Sequence, residues 1–250
     1  MSRPAVAEPG SRAARTLGDR RSVPDVRWIA RLTGAAPADV KRTLREVDDL
    51  LEIERTIRLA HAEGGRRFYA QFRAPFDIYA LVRLRRPAEV VETGVSSGVS
   101  SAHFLLGLRA NESGRLHSVD LPTRQRGATL AASESPVSLP PGRQPGWAVP
   151  AELSRGWDLR LGPSERLLPG LVSELDEVSI FLHDSHHTPK HLTFELETVR
   201  PWLRPGAIVM ADNTQWTGNA FDRFAASLEA PVVRRRRSDL VGLRVPDSAE

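Results

Sequence analysis

The sequence predicts a doubly wound α/β domain, with a mainly parallel sheet of seven strands and a helical extension on its N-terminal side. Three observations carry this. From residue 87 onward, short runs rich in Val, Ile and Leu alternate with amphipathic stretches, the signature of strand–helix–strand units. A glycine turn in "VVETGVSSG" joins the first such run to the helix after it. Four of the runs close on an acid: Glu92, Asp120, Asp184 and Asp212. In open sheets of this kind ligands bind outside the carboxyl ends of the strands, so those acids mark the place to look for a site.

The elements follow in order. Residues 1–24 lack the apolar centre of a signal peptide and read as a flexible tail. Residues 25–86 read as a helical N-terminal cap. In "PADVKRTLREVDDLLEIERTIRLAHA", from Pro37, Val40, Leu44, Val47 and Leu51 fall on one helical face, and Gly64-Gly65 provides the stop. "PFDIYALVRLRR" starts a second helix at Pro75, ended by Pro87. These helices are suited to packing on the sheet, capping a pocket or forming a homo-oligomer face.

Residues 87–250 form the expected ligand-binding domain. "AEVVETG", "GRLHSVDLP", "WDLRLG", "VSIFLHD" and "GAIVMAD" are five strands, interleaved with helices in "SSAHFLLGLRA", "SERLLPGLVSEL", "TPKHLTFELETVRPWL" and "NAFDRFAASL". Thr188 is placed to cap the third of these helices, with Pro189 at its first position. "APVVRRR" and "LVGLRVP" suggest a closing hairpin, and the run Arg234 to Arg237 reads as its solvated edge. Residues 123–150, rich in Pro, Gly and Ser, form an insertion loop of a length more often functional than not.

Composition narrows the function. The 250 residues hold no cysteine, which excludes disulfides and thiolate metal sites. The net charge of +4 is small, and no basic stripe interleaved with aromatics suggests a nucleic-acid partner. No apolar run approaches the roughly 18–20 residues of a membrane span. A cytoplasmic protein acting on a small molecule is the expectation.

Gly94 and Gly98 allow close backbone approach to a ligand, and Asp120 ends the second strand where a carboxylate can accept both hydroxyls of a ribose. The spacing G-x-x-x-G, with Glu92 two residues before the first glycine, departs from the G-x-G-x-x-G that cradles a dinucleotide pyrophosphate. An acid there suits a cationic ligand better than an anionic one. "VVETGVSSGVSSAHFLLGL" followed by "LHSVDLP" resembles the first motif and the acidic second strand end of class I S-adenosylmethionine-dependent methyltransferases, with their Rossmann-like fold. The resemblance implies that Glu92, Gly94, Ser97 and Gly98 hold the methionine part of that cofactor and Asp120 its ribose. "LGPSERLLPGL" looks like the family's segment after strand three, which implies that Ser164 and Glu165 lie near the adenine.

The stretch "FLHDSHHTPKH" gathers His183, His186, His187 and His191 beside Asp184. Asp184, Asp212 and Asn213 end adjacent strands, where they can converge at one edge of the cofactor pocket as oxygen donors for a hard cation such as Mg²⁺. Capping of helices by the same residues is the alternative. The spacing is similar to that of metal-dependent O-methyltransferases of the catechol, caffeoyl-CoA and macrolide-sugar type, although many of those carry Asp-Asp where this chain has Asp212-Asn213. That resemblance implies His187 as general base, with His186 and Lys190 as substitutes. His183 reads as packed within its strand and His191 as solvated. The pair His187 and His191 also has zinc-like i,i+4 spacing, but Thr188 and Pro189 put His187 outside the helix.

The expectation is therefore an S-adenosylmethionine-dependent O-methyltransferase acting on a hydroxyl of a small molecule, a natural-product sugar or phenol. A dinucleotide-dependent oxidoreductase and a non-catalytic binding module on the same fold are the alternatives.

Overall fold

The computed structural model describes residues 23–46, 72–121, 139 and 142–247. Residues 1–22 of the tail predicted over 1–24, the helix beyond residue 46 with its Gly64-Gly65 stop, and most of the 123–150 insertion lie outside the described residues. No helix among the described residues is long and apolar enough to cross a membrane.

The N-terminal part contributes helices α1 (Val26–Thr33), α2 (Pro37–Arg45) and α3 (Pro75–Arg85). The Asp25 side chain caps α1 by accepting from the Trp28 amide, while α2 and α3 each begin on a proline whose missing N–H would have had no helical partner. Thereafter strands and helices alternate: β1 (Glu89–Thr93), α4 (Val99–Asn111), β2 (Arg115–Asp120), β3 (Trp157–Leu161), α5 (Ser164–Ser173), β4 (Val178–His183), α6 (Pro189–Val199), β5 (Leu203–Ala211) and α7 (Ala220–Ser227). The short strands β6 (Val233–Arg234) and β7 (Val241–Arg244) close the chain as an antiparallel pair.

The seven strands stand in the order β3-β2-β1-β4-β5-β7-β6. The first five are mutually parallel, and β7 joins β5 antiparallel. Because successive strand residues face opposite ways, β1, β2, β4 and β5 each feed two cores. Val90, Leu116, Ile180, Leu182, Ile208 and Met210 pack toward α1, α3 and α4. Val91, Val119, Phe181, Val209 and Ala211 pack toward α5, α6 and α7. The chain reverses direction across the sheet between β1 and β4, so their carboxyl ends open side by side.

Within the arginine run at 234–237, Arg234, Arg236 and Arg237 are exposed as expected of a solvated edge, and Arg235 departs from it. Arg235 is buried, 5% exposed, and grips both oxygens of Asp77, itself 1% exposed, at 3.0 and 3.1 Å. Its guanidinium also donates to the Val23 carbonyl at 2.8 Å. Asp77 accepts the Asp25 amide, and Asp25 in turn takes the amide and guanidinium of Arg236. The Trp28 indole donates to the Val233 carbonyl at 2.9 Å. These bonds join α1 and α3 to the β6 end of the sheet. Burial outweighs the guanidinium and raises the Asp77 pKa, so the carboxylate depends on its partner to stay charged.

Breaking one half of a buried, bonded pair leaves the other half uncompensated. Arg235→Met should therefore destabilise the fold by roughly 3–5 kcal/mol in urea denaturation. Asp77→Asn combined with Arg235→Met removes the stranded charge and should recover most of that loss. A single-variant loss below about 1 kcal/mol, the range of exposed pairs, would show that the clasp is not anchored there.

Candidate active site at the strand ends

The glycine turn after β1 is bound from three sides. Gly94 and Gly98 sit at φ +86° and +90°, and a side chain at either would collide with backbone. A Cβ on Gly94 would fall 2.0 Å from the Asp184 carbonyl oxygen, so β1 and β4 meet as closely as their main chains allow. Gly98 faces the Gly146 backbone and Val149, and the Gly146 and Ala148 amides donate to the Ser96 and Ser97 carbonyls at 2.8 and 2.9 Å. Ser97 is 2% exposed at the centre of this contact. From the other side Asp120 accepts the Val95 and Ser96 amides on one oxygen, Oδ2, at 2.7 and 2.9 Å. Burial raises the Asp120 pKa against those two bonds.

Glu92 sits beneath the loop and does not reach its surface. It is fully buried, and its carboxyl accepts from the hydroxyls of Ser100, Ser101 and Ser118, the last two at 2.6 and 2.9 Å. The Trp157 indole completes the cluster by donating to Ser118. Burial, against three neutral hydroxyls, pushes the Glu92 pKa up to about 7.

On the other side of Gly94, the Asp184 amide donates to the Thr93 carbonyl at 2.8 Å, and the Asp212 amide to the His183 carbonyl at 2.9 Å. Since His183 pairs with Ala211 in the sheet, Asp184 and Asp212 stand one residue beyond a register pair. Burial first, and the charge of Asp184 second, raise the Asp212 pKa to about 7. Asn213 follows in a left-handed conformation and opens the turn that carries Trp216. His187 lies with Nε2 3.3 Å from Asp184 Oδ1, and its ring is 5.9 Å from that of Trp216, a 43% exposed tryptophan.

Of the predicted residues, Gly94, Ser97, Gly98, Asp120, Asp184, Asp212, Asn213 and His187 are thus brought to neighbouring strand ends. Lys190 is exposed on the first turn of α6, and the His186 ring lies against that of His191, 5.2 Å away. Ser164 and Glu165 begin α5, where both meet His191: Ser164 Oγ at 3.0 Å from Nε2, Glu165 Oε1 at 3.1 Å from Nδ1. His191 is therefore buried and bonded, 8% exposed, where the sequence suggested solvation. With both ring nitrogens facing carboxylates, it is not half of a zinc pair. Among the described residues no three His, Cys, Asp or Glu side chains converge as a metal centre. The expected set offers two carboxylates and the Asn213 amide, a donor set suited to a hard cation. Clefts lined by Thr193, Leu196 and Phe224, and by Arg85, Arg86 and Arg204, lie away from these strand ends.

At the strand ends one buried acid escaped the sequence reading. Glu195, fully buried on α6, accepts from Thr93, His183, Ser185 and His191. Its signal was present: an acid on the same helical face as Leu192, Leu196 and Val199.

Residues 91–214 match a family described as "Methyltransferase domain". No curated protein sequence matches the chain. Among solved structures, the O-methyltransferase NovP aligns with a TM-score of 0.55 at 16% identity, over 78% of this chain and 98% of that one. The SAH-bound methyltransferase PaMTH1 of Podospora anserina gives 0.51 at 18% identity, over 80% and 88%. The O-methyltransferase TomG from Streptomyces achromogenes, in complex with SAM, gives 0.51 at 16%, over 78% and 89%. At these identities the likeness is one of fold.

Glu92 generates a pH signature. Its folded pKa is raised from 4.5 to about 7, so between those values the folded state holds a proton that the unfolded state has released. This group's contribution to stability accordingly declines as pH rises through that window. Comparing denaturation midpoints of wild type and Glu92→Gln from pH 4 to 8 should show the variant gaining on wild type as pH increases. A constant difference would mean that Glu92 does not titrate there.

Proposed function

Since residues 91–214 belong to the methyltransferase-domain family, we propose that the chain is an S-adenosylmethionine-dependent O-methyltransferase. Its acceptor would be a hydroxyl of a small molecule, a natural-product sugar or phenol. The observation that carries this reading is the grouping at the ends of β4 and β5: Asp184, Asp212 and Asn213, with His187 3.3 Å from Asp184. The bound SAM of TomG and SAH of PaMTH1 support the choice of cofactor.

The cofactor, when bound, supplies a methyl group on a positively charged sulfur. The glycine turn from Gly94 to Gly98 offers backbone for its methionine part. Asp120, whose Oδ2 already holds two loop amides, has Oδ1 to offer a ribose hydroxyl. Glu92 acts from below, fixing α4 through its serines, rather than by touching the ligand.

An acceptor hydroxyl is a poor nucleophile until its proton is removed or its pKa lowered. In this reading His187, whose Nε2 lies 3.3 Å from Asp184 Oδ1, takes that proton. Trp216 beside it offers an exposed aromatic face on which an acceptor ring can lie. Asp184, Asp212 and Asn213 would hold a divalent cation such as Mg²⁺, which would polarise the same hydroxyl. The Asp212 pKa, raised by burial first and by Asp184 second, fits this role, because a cation would offset both the burial of the charge and the repulsion between the two carboxylates. The His186 ring lies against that of His191, and Lys190 is exposed on α6, which supports the choice of His187 among the three expected bases.

Calorimetry with S-adenosylhomocysteine, with and without Mg²⁺, tests the cofactor and the ion. Wild type should bind, and Asp120→Ala should lose at least tenfold in affinity, since each charge-assisted hydrogen bond is worth about 1.5–3 kcal/mol. Unchanged binding in that variant would displace the ribose from Asp120. Asp212→Ala should abolish the Mg²⁺ response and leave S-adenosylhomocysteine binding intact. Turnover that is indifferent to a chelator would remove the metal from the mechanism.

His187→Ala should lower turnover by roughly 10²–10⁴ at unchanged cofactor affinity, the contribution of a positioned base. His186→Ala and Lys190→Ala are the parallel controls. Near-normal turnover in the His187 variant would reassign the base to whichever control fails.

A further inference from the structure

Glu195 takes no part in the steps above, yet it occupies the middle of the site's scaffold. It lies on the face of α6 that otherwise carries Leu192, Leu196 and Val199, where the helical pattern calls for an apolar side chain. Its Oε2 accepts from Thr93 Oγ1 and His183 Nδ1, each at 2.6 Å. Its Oε1 accepts from Ser185 Oγ and His191 Nε2, each at 2.9 Å. A carboxylate offers about four lone-pair sites, and four donors fill them. Burial opposes the charge, but the two imidazoles overcome it and hold the Glu195 pKa well below the usual carboxylate range.

The donors come from separate parts of the fold. Thr93 ends β1, His183 ends β4, Ser185 opens the turn that carries Asp184 and His187, and His191 lies on α6. Through His191 the network continues to Ser164 and Glu165 at the start of α5. We propose that Glu195 is a positioning residue of the strand-end site: by taking these four donors it fixes Ser185, and with it the 184–187 turn, against the end of β1. For its consequence in cofactor binding this rests on the methyl-transfer reading. The placement of the turn does not.

The chemistry makes the role testable. His183 is 0% exposed, and its Nε2 has no hydrogen-bond partner among the described residues. Glu195 therefore holds it as the Nδ1–H form, in the way that a carboxylate fixes the tautomer of a metal-bound histidine. A carboxamide in the same place has one accepting oxygen and one donating nitrogen. The two histidines approach different oxygens, so in Glu195→Gln one of them must face an N–H group. That histidine has to move its proton to the other nitrogen, lose it, or turn away. The hydroxyls of Thr93 and Ser185 can simply rotate.

Nitrogen NMR of histidine-labelled protein reads the tautomers, amide hydrogen exchange reads the turn, and calorimetry with S-adenosylhomocysteine reads the site. Glu195→Gln should keep its far-UV circular dichroism and change the protonation pattern of His183 or His191. It should also speed exchange of the Asp184 amide and weaken S-adenosylhomocysteine binding by about 10–100-fold, the usual cost of losing such an outer partner. Ser185→Ala cuts the link between Glu195 and the turn, together with the longer 3.5 Å approach of the Ser185 hydroxyl to His183 Nδ1, and leaves the Glu195 carboxylate bonded to both histidines. It should speed the same exchange and weaken binding while both histidines keep their wild-type tautomers. Unaltered histidine signals in Glu195→Gln, or unaltered exchange at Asp184 in both variants, would overturn the proposal. If Glu195→Gln does not fold, Ser185→Ala decides by the exchange alone. If wild type does not bind S-adenosylhomocysteine, the methyl-transfer reading fails, and exchange and tautomers still decide on Glu195.

Discussion

The site depends on how closely the ends of β1 and β4 approach each other. The Asp184 amide reaches the Thr93 carbonyl at 2.8 Å, and the space left beside Gly94 admits no Cβ, because the Asp184 carbonyl already occupies it. These two strands lie where the chain order reverses across the sheet, so helices leave them toward opposite faces and a crevice opens between. The glycine turn, the Asp120 carboxylate that holds it and the Asp184–His187 turn are all positioned relative to that contact.

Two buried glutamates show how neighbours decide charge. Glu92 and Glu195 are both fully enclosed, and burial pushes both toward protonation. Glu92 meets three neutral hydroxyls and is pushed up to about 7. Glu195 meets two hydroxyls and two imidazoles, and the imidazoles reverse the sign. Asp212 falls on the side of Glu92, because its strongest electrostatic neighbour is another carboxylate, Asp184. The strand ends therefore concentrate carboxyl groups, and at Glu92 and Asp212 no cation among the described residues is strong enough to offset the cost of their charge. That is the setting in which the cationic cofactor and the divalent ion proposed above would act.

The same logic operates at the far edge of the sheet. Arg235 and Asp77 hold the N-terminal helices to β6, with Asp25 and Arg236 as a second, more exposed layer. As a run in the sequence, Arg234 to Arg237 looks uniform. Folded, it divides: Arg235 turns inward to a buried carboxylate, while Arg234, Arg236 and Arg237 stay exposed.

What the sequence alone determined were the features encoded locally. Strand and helix alternation, the glycine turn, the Thr188 cap with Pro189 and the acids closing the strands depend on periodicity and backbone preference within a few residues. Those features suffice for the fold class and for the placement of Gly94, Gly98, Asp120, Asp184 and Asp212 at strand ends. Only the tertiary structure decided which partner each polar side chain meets. It turned Glu92 inward to its serines, gave Ser164 and Glu165 to His191, buried His191 and Arg235, and made Glu195 the acceptor for four donors. The physical reason is that burial and pairing are set by residues distant in sequence. A charged side chain looks the same in the sequence whether its neighbour in the fold is water, a hydroxyl or an opposite charge.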